Sequence, residues 1–498
     1  MSFCFFLKSY YICRKFYKNS GNMKKITFLL TAFLAFSLSL SAQKKTVQVL
    51  ALNDMHAYLD RAAALGGVID SLRAINPNLL VLSAGDNRTG NPVNDMYSEP
   101  SRPMTEVMNA FGVNASALGN HEFDAKIAGF KKQAERSNFP YLCANVTVPD
   151  SMGFKLDPYK IFEVDGVKIG VIGILQINQR GIPDCLADNV KGLVWSNPQK
   201  AAEKYVDIVR KQCDIEILLS HNGIDEDKIS AQNMPQFDAI MGGHTHTLVP
   251  ANTIVNGVLI TQSKNKMQYC TLVDFEVENG KVVKKSSKLI SVLETTQSNK
   301  KIAEMVEKFS DNPFLKEVVG TLSKPIKNVI SMGAFVSDGQ RYGTNCQITL
   351  QNGGGVRYST KEAGPFTMKD ALMLDPFGNR MVIFKLSGAD IKRLIADCRE
   401  NDEMVECYTS GVSYTMKVDK NDPKKVKSLD VYLENGKPLK NKKLYSFACN
   451  NYVVSITFLK GREGKMLDKT SCDCLVEYLK AKSPLDYSKT MRTNIIEE

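Results

Sequence analysis

Residues 241–246 read MGGHTH, Met241-Gly242-Gly243-His244-Thr245-His246, and set two of the five histidines of a 498-residue chain one residue apart behind paired glycines. In an extended segment residues i and i+2 share a face, so His244 and His246 can point into one space. Glycine lets the backbone turn tightly beside them with no side chain in the way. The apolar run at 239–241 predicts a strand, which puts the pair at a strand's carboxyl end. The remaining histidines repeat that placement. His56 follows the apolar run 47–53 in LNDMHAY, His121 follows 115–118 in GNHEFD, and His221 follows 215–220 in LLSHNG. Asp54, Asn120 and Asp86, the last in SAGDN after the run 79–84, stand at the same kind of position.

Apolar runs of this length suit strands of a sheet covered on both faces, and helical spacing at 62–74, 125–136 and 198–211 supplies the cover. Hairpins are predicted around Asp165-Gly166 and Asn279-Gly280. The first half therefore reads as a mixed α/β layer structure. In such sheets functional groups gather where strands end and side chains face a crevice. Five strands that each stop at Asp, Asn or His bring seven or eight nitrogen and oxygen ligand groups together. That donor set suits borderline divalent metals, and it is too large for one tetrahedral ion. Two ions sharing a carboxylate fit it.

Composition fits a folded protein of two domains, with 43% apolar and 23% charged residues. The formal charge of +11 shrinks to +5 once the first 42 residues, with six lysines and arginines and no acid, are set aside, which gives no reason to expect a nucleic acid polymer as partner. Met23-Lys24-Lys25, the apolar stretch 26–36 and the small residues up to Ala42 form an export signal with cleavage expected at Ala42/Gln43. Residues 1–22 read as a misassigned upstream start. The apolar segment is short for a span, so no stable membrane anchor is expected, and the mature chain is expected to be periplasmic or extracellular. Of the ten cysteines beyond residue 42, Cys143, Cys185, Cys213 and Cys270 read as buried thiols, while Cys398 with Cys407, or Cys449 with Cys472 or Cys474, have spacings that allow a bridge. Residues 294–317 carry helical spacing at Ile302, Met305, Val306 and Phe309, and predict a connecting helix between two domains.

Taken in order, D-x-H at Asp54/His56, G-D at Gly85-Asp86, G-N-H-E at 119–122, His221 and G-G-H-T-H at 242–246 resemble the calcineurin-like metallophosphoesterases. The extension to GNHEFD, with MGAFVSDGQR, NGGGVR, DPFGN, LSGADIKRLI and SGVSY further on, resembles the secreted two-domain 5'-nucleotidases, relatives of the periplasmic UDP-sugar hydrolase. The resemblance covers roughly 45–460. It implies a layered α/β/β/α sandwich over 43–293, a helical linker over 294–320 and an α+β substrate-binding domain over 321–498.

It also implies roles. Asp54, His56 and His246 would hold one divalent metal, Asn120, His221 and His244 a second, and Asp86 would bridge them; zinc, manganese and iron all suit the donors. His121 matches the catalytic histidine and Asp124 the acid that orients it. Arg357 matches a phosphate- or ribose-contacting arginine, Phe377 and Tyr452 the rings that sandwich a nucleobase, and Asn379 a base-proximal asparagine. Arg88, two residues beyond Asp86, is a further candidate for the phosphate. SITFLKGREG from Ser455 stands where relatives carry a GGDG turn. The expected activity is hydrolysis of nucleoside 5'-monophosphates by a water activated between two metals. Nucleotide sugars, 2',3'-cyclic nucleotides and other organic phosphates are alternative substrates, and a non-catalytic nucleotide-binding protein is the alternative of another class.

Overall fold

The computed structural model describes residues 44–498 apart from residues 100, 402, 403 and 405; the expected export signal lies outside them. Two six-stranded sheets form the first half. One runs in the order Lys281–Ser291, Tyr269–Glu278, Lys45–Leu52, Leu80–Ser83, Ala115–Ala117, Tyr141–Leu142. The other runs Ile254–Val255, Val258–Thr261, Ala239–Gly242, Ile215–His221, Val167–Leu175, Tyr159–Val164. Alternation along each strand divides the core. Val47, Val49 and Ala51 meet Ile215, Ile217, Leu219 and Met241 between the sheets. Leu50 and Leu52, one residue out of phase, face outward onto the helices Ala62–Ile75, Arg102–Phe111 and Lys126–Arg136. Pro198–Arg210 and Ile224–Asn233 cover the outer face of the second sheet. The result is the expected α/β/β/α sandwich.

The central strands are parallel, which decides where the site lies. Lys45–Leu52, Leu80–Ser83 and Ala115–Ala117 pair in parallel, as do Val167–Leu175, Ile215–His221 and Ala239–Gly242. Their carboxyl ends therefore emerge at one edge, and every histidine-bearing loop opens there. Far from that edge, Glu216 is completely buried and bonds Arg210 Nε at 2.9 Å. Burial outweighs the guanidinium and pushes its carboxyl from an ordinary 4.5 up to about 7. The folded state thus binds this proton more tightly than the unfolded one, and the stability it contributes below pH 4.5 is lost as pH rises to 7. Glu216→Gln is expected to gain thermal stability over the parent progressively between pH 5 and pH 8, read by scanning fluorimetry.

The helix Lys300–Ser310 follows the first half, packing Ile302 and Phe309 onto its core. Beyond it a five-stranded sheet runs Cys407–Ser410, Ile348–Asn352, Leu444–Asn450, Arg380–Ser387, Lys465–Thr470. Helix Gly388–Glu400 packs Ile391, Leu394 and Ile395 in one core, and Val329–Thr344 with Ser471–Lys482 pack Phe335, Leu475 and Leu479 in another. The ten cysteines from Cys143 to Cys474 are free thiols, so neither of the spacings that allow a bridge is used; Cys398, Cys407 and Cys449 share one apolar core instead. Among the described residues no helix is long and apolar enough to cross a membrane.

Candidate metal centre

Asp86 is the hub of the strand-end loops. Its Oδ2 lies 3.2 Å from His221 Nε2 and 3.9 Å from both His56 Nε2 and His121 Nε2, and its Oδ1 accepts the His121 N–H at 2.9 Å. A second focus forms at Asp54, whose Oδ1 is 3.5 Å from His246 Nε2, while His56 and His246 bring their Nε2 atoms to 3.0 Å. Among the described residues, three groups thus have ligand atoms that lie, within each group, no more than 4.8 Å apart: Asp54, His56 and His246; His56, Asp86 and His121; Asp54, Asp86 and His221. His244 stands beside these groups, its ring 5.2 Å from that of His221.

The paired glycines of 241–246 now have a steric reason. A Cβ on Gly243 would lie 3.0 Å from Ala84 O and His221 Nδ1 and 3.1 Å from Asp54 Oδ2; one on Gly242 would lie 2.2 Å from Asp227 Oδ2. The loop backbone is strained as well. Asp54, His56, Asp86, His244 and His246 adopt φ of 47°, 47°, 52°, 78° and 54°. Asp and His tolerate the left-handed region better than most residues, at roughly 1–3 kcal/mol each, and such strain clusters at functional sites.

The proton inventory fits a cation. His56 Nδ1 faces Thr89 O at 2.9 Å and His221 Nδ1 faces Ala84 O at 2.6 Å. A carbonyl only accepts, so both Nδ1 atoms donate, which leaves both Nε2 atoms directed at Asp86 and free to take a cation. His221 Nε2 and Asn120 Oδ1 are buried without a hydrogen-bond partner. Ring nitrogens and carboxylate oxygens thus crowd one another in a buried space. Burial disfavours charge on His221, yet the Asp86 and Asp54 carboxylates push it up to about 10. Burial would likewise raise Asp86, but His221, His121 and His56 hold it well below the carboxylate range. Burial and the Arg357 charge hold His56 well below its ordinary value. One proton cannot satisfy so many acceptors; divalent cations can.

His121 pairs with an acid of its own loop. Its Nδ1 bonds Asp124 Oδ2 at 2.7 Å, and against burial the Asp86 and Asp124 carboxylates raise its pKa. From the second half, Arg357 brings Nη2 to 3.3 Å from His56 Nε2, and the Phe377 ring lies 5.7 Å from that of His121 at 22°. The Arg357 guanidinium sits 5.4 Å over Phe377, and its carbonyl accepts Lys266 Nζ at 2.5 Å. Asn379 is buried, with its carbonyl bonded to the Ser471 N–H. Tyr452 lies on the short helix Asn451–Ile456, half-buried. Arg88, a sequence candidate for the phosphate, is instead buried where its charge acts on Asp95 and Tyr141.

Three residues escaped the sequence reading. Glu122 is completely buried and accepts the N–H groups of Asp86, Asn87 and Gly119, tying the Asp86 loop to the Asn120–His121 loop. Asn53 bonds Asp54 Oδ2 through Nδ2 and accepts the Ser263 N–H. Asp184 lies 3.5 Å from His244 Nε2. Glu122 was visible in the GNHE motif; nothing in the local sequence marks Asp184.

Residues 47–248 match the calcineurin-like phosphoesterase family and 318–458 the 5'-nucleotidase C-terminal domain. The chain is 25% identical over 516 residues to Endonuclease YhcR of Bacillus subtilis (strain 168), covering 91% of this chain but only 41% of that longer protein. It is 26% identical over 501 residues to the 5'-nucleotidase of Vibrio cholerae, covering 86% of this chain and 87% of that one. Among solved structures, the 5'-nucleotidase precursor of Thermus thermophilus superimposes with a TM-score of 0.79 at 22% identity, over 91% of this chain and all of the other. With its sandwich, its histidine-carboxylate centre and its second domain accounted for together, the chain joins a domain of the calcineurin-like phosphoesterase family to a 5'-nucleotidase C-terminal domain.

Proposed function

We propose that this chain is an exported phosphomonoesterase of nucleoside 5'-monophosphates, with residues 43–293 carrying catalysis, 294–320 joining and 321–498 selecting the substrate. The observation that carries the reading is the convergence of imidazoles on the Asp86 carboxylate, with Arg357 and Phe377 of the second half closed over them. Asp54, His56 and His246 would hold one divalent cation, Asn120, His221 and His244 a second, and Asp86 both. Bound there, the cations would supply Lewis-acid charge to the phosphoryl oxygens and lower the pKa of water.

The chain's own groups do the rest. His121, steered by Asp124 and partly exposed, stabilises negative charge on the phosphoryl group or passes a proton to the leaving oxygen. Arg357 offers a guanidinium matched to phosphate oxygens, and Phe377 an aromatic face for a base. The relatives called 5'-nucleotidase support the nucleotide reading.

A cavity of about 560 Å³ opens beside His244, lined in part by Gln176, Asn222, Asp184, Ser455 and Lys460. Its size suits a leaving group larger than a bare alcohol and keeps nucleotide sugars as a second reading. A screen with Mn²⁺ over 5'-AMP, 3'-AMP, 2',3'-cyclic AMP, UDP-glucose and glycerol phosphate, which follows inorganic phosphate together with substrate loss by chromatography, tests both. The expected order puts 5'-AMP at least about tenfold above 3'-AMP, a difference of about 1.4 kcal/mol in transition-state binding. UDP-glucose in first place reassigns the substrate, and equal rates on glycerol phosphate remove the nucleotide reading.

A further inference from the structure

Asp184 belongs to none of the strand ends that build the centre, yet it touches two of the residues assigned to the second cation. Its Oδ2 lies 3.5 Å from His244 Nε2, and its backbone carbonyl accepts Asn120 Nδ2 at 3.0 Å. The remaining oxygen, Oδ1, accepts Asn178 Nδ2 at 3.0 Å. Asn178 in turn closes its own loop, accepting the Gly181 N–H and donating its N–H to the Ile182 carbonyl, each at 2.9 Å. The carboxylate is thus anchored from behind and presented to the centre from a rigid turn.

Both contacts settle an ambiguity that would otherwise spoil a ligand. An asparagine amide can present oxygen or NH₂ to a cation, and only the oxygen binds. The Asp184 carbonyl takes the NH₂ end of Asn120, which leaves Oδ1, buried and without a partner, as the end offered to the centre. An imidazole can likewise present either nitrogen. A carboxylate at Nε2 favours the Nε2–H tautomer, so that Nδ1 of His244 carries the lone pair.

We propose that Asp184 is a positioning residue for the second cation, its carboxylate fixing the tautomer of His244 and its main-chain oxygen fixing the amide of Asn120. This assignment rests on the two-cation reading above. It also explains why His244 and Asn120, on loops far apart in the chain, can serve one ion although neither belongs to the tight groups around Asp86 and Asp54.

Mn²⁺ titration of the full mature chain, followed by calorimetry and by electron paramagnetic resonance, tests it without reference to turnover. The parent is expected to bind two Mn²⁺ per chain and to show the signal of an exchange-coupled pair. Asp184→Ala is expected to keep one site at parental affinity and weaken the other by about 10–100-fold, so that at limiting Mn²⁺ an uncoupled six-line spectrum replaces the coupled one. Asp184→Asn, which keeps an acceptor oxygen and the backbone carbonyl, should recover most of the loss. Asn178→Ala, which removes only the rear anchor, should weaken the same site by a few-fold and serves where Asp184→Ala folds poorly. Parental affinity at both sites in these variants overturns the role of Asp184. A parent chain that binds fewer than two Mn²⁺ overturns the two-cation reading itself, a result distinguishable from the first because it appears before any substitution.

Discussion

Asp86→Asn is expected to lose at least one of two bound metal ions and to lower kcat by three orders of magnitude or more, about 4 kcal/mol of transition-state stabilisation. The asparagine variant is chosen over alanine for a backbone reason. Asp86 sits at φ of 52°, which asparagine adopts readily and alanine does not. Asparagine also keeps an oxygen to accept the His121 N–H, so the loop geometry survives. What it removes is the negative charge that three imidazoles share, at 3.2, 3.9 and 3.9 Å. Metal content by elemental analysis and phosphate release on the same preparation give the two readouts, and chelation of the parent should reproduce the kinetic loss. A variant that retains both ions and turns over within tenfold of the parent would falsify the placement of Asp86 between them.

That these side chains converge was legible in the sequence because they obey a simple rule: each follows the end of an apolar strand. Period-two alternation at Val47, Val49 and Ala51 placed those strands between two layers, and the turn dipeptides at Asp165-Gly166 and Asn279-Gly280 placed both long hairpins. The predicted helix near 294–317 is present as Lys300–Ser310 because its four apolar positions make one stripe, of which Ile302 and Phe309 are fully buried.

Other features had no such signal. The turn around Asn178 that presents Asp184 carries no periodicity, and its contact with His244 joins positions 60 residues apart through space alone. Arg88 looked suited to phosphate from its place beside Asp86, but the loop turns its side chain inward, where Asp95 supplies the opposite charge. Cysteine spacing was equally silent: Cys398, Cys407 and Cys449 are near one another because a helix packs on a sheet, and their burial is that of small apolar residues. Nor could local sequence say that Arg357 and Phe377 close directly onto His56 and His121, which depends on how the two halves meet.

His121→Asn should behave differently from Asp86→Asn, and the difference separates two roles that geometry alone leaves together. The His121 ring lies within reach of Asp86 and His56 and belongs to one of the three ligand-like groups, so on distances it could bind a cation. Its hydrogen bonding argues otherwise. Nδ1 is held by the Asp124 carboxylate at 2.7 Å, where His56 and His221 set theirs against the main-chain carbonyls of Thr89 and Ala84. A ring backed by a carboxylate on its own loop is suited to hold a proton at Nε2 and stabilise charge on the reacting phosphoryl group, whereas a ligand must offer a bare ring nitrogen. The expected result is a fall in kcat of about 10²–10⁴ with metal content and KM close to parental, since the interaction is made chiefly in the transition state. Asp124→Asn, which leaves the ring in place but weakens its orientation, should cost less, about tenfold to a hundredfold. If metal content falls together with kcat in His121→Asn, the ring is a ligand and the proton must come from elsewhere; if it holds while turnover collapses, the cations and the imidazole divide the work as the hydrogen bonds indicate.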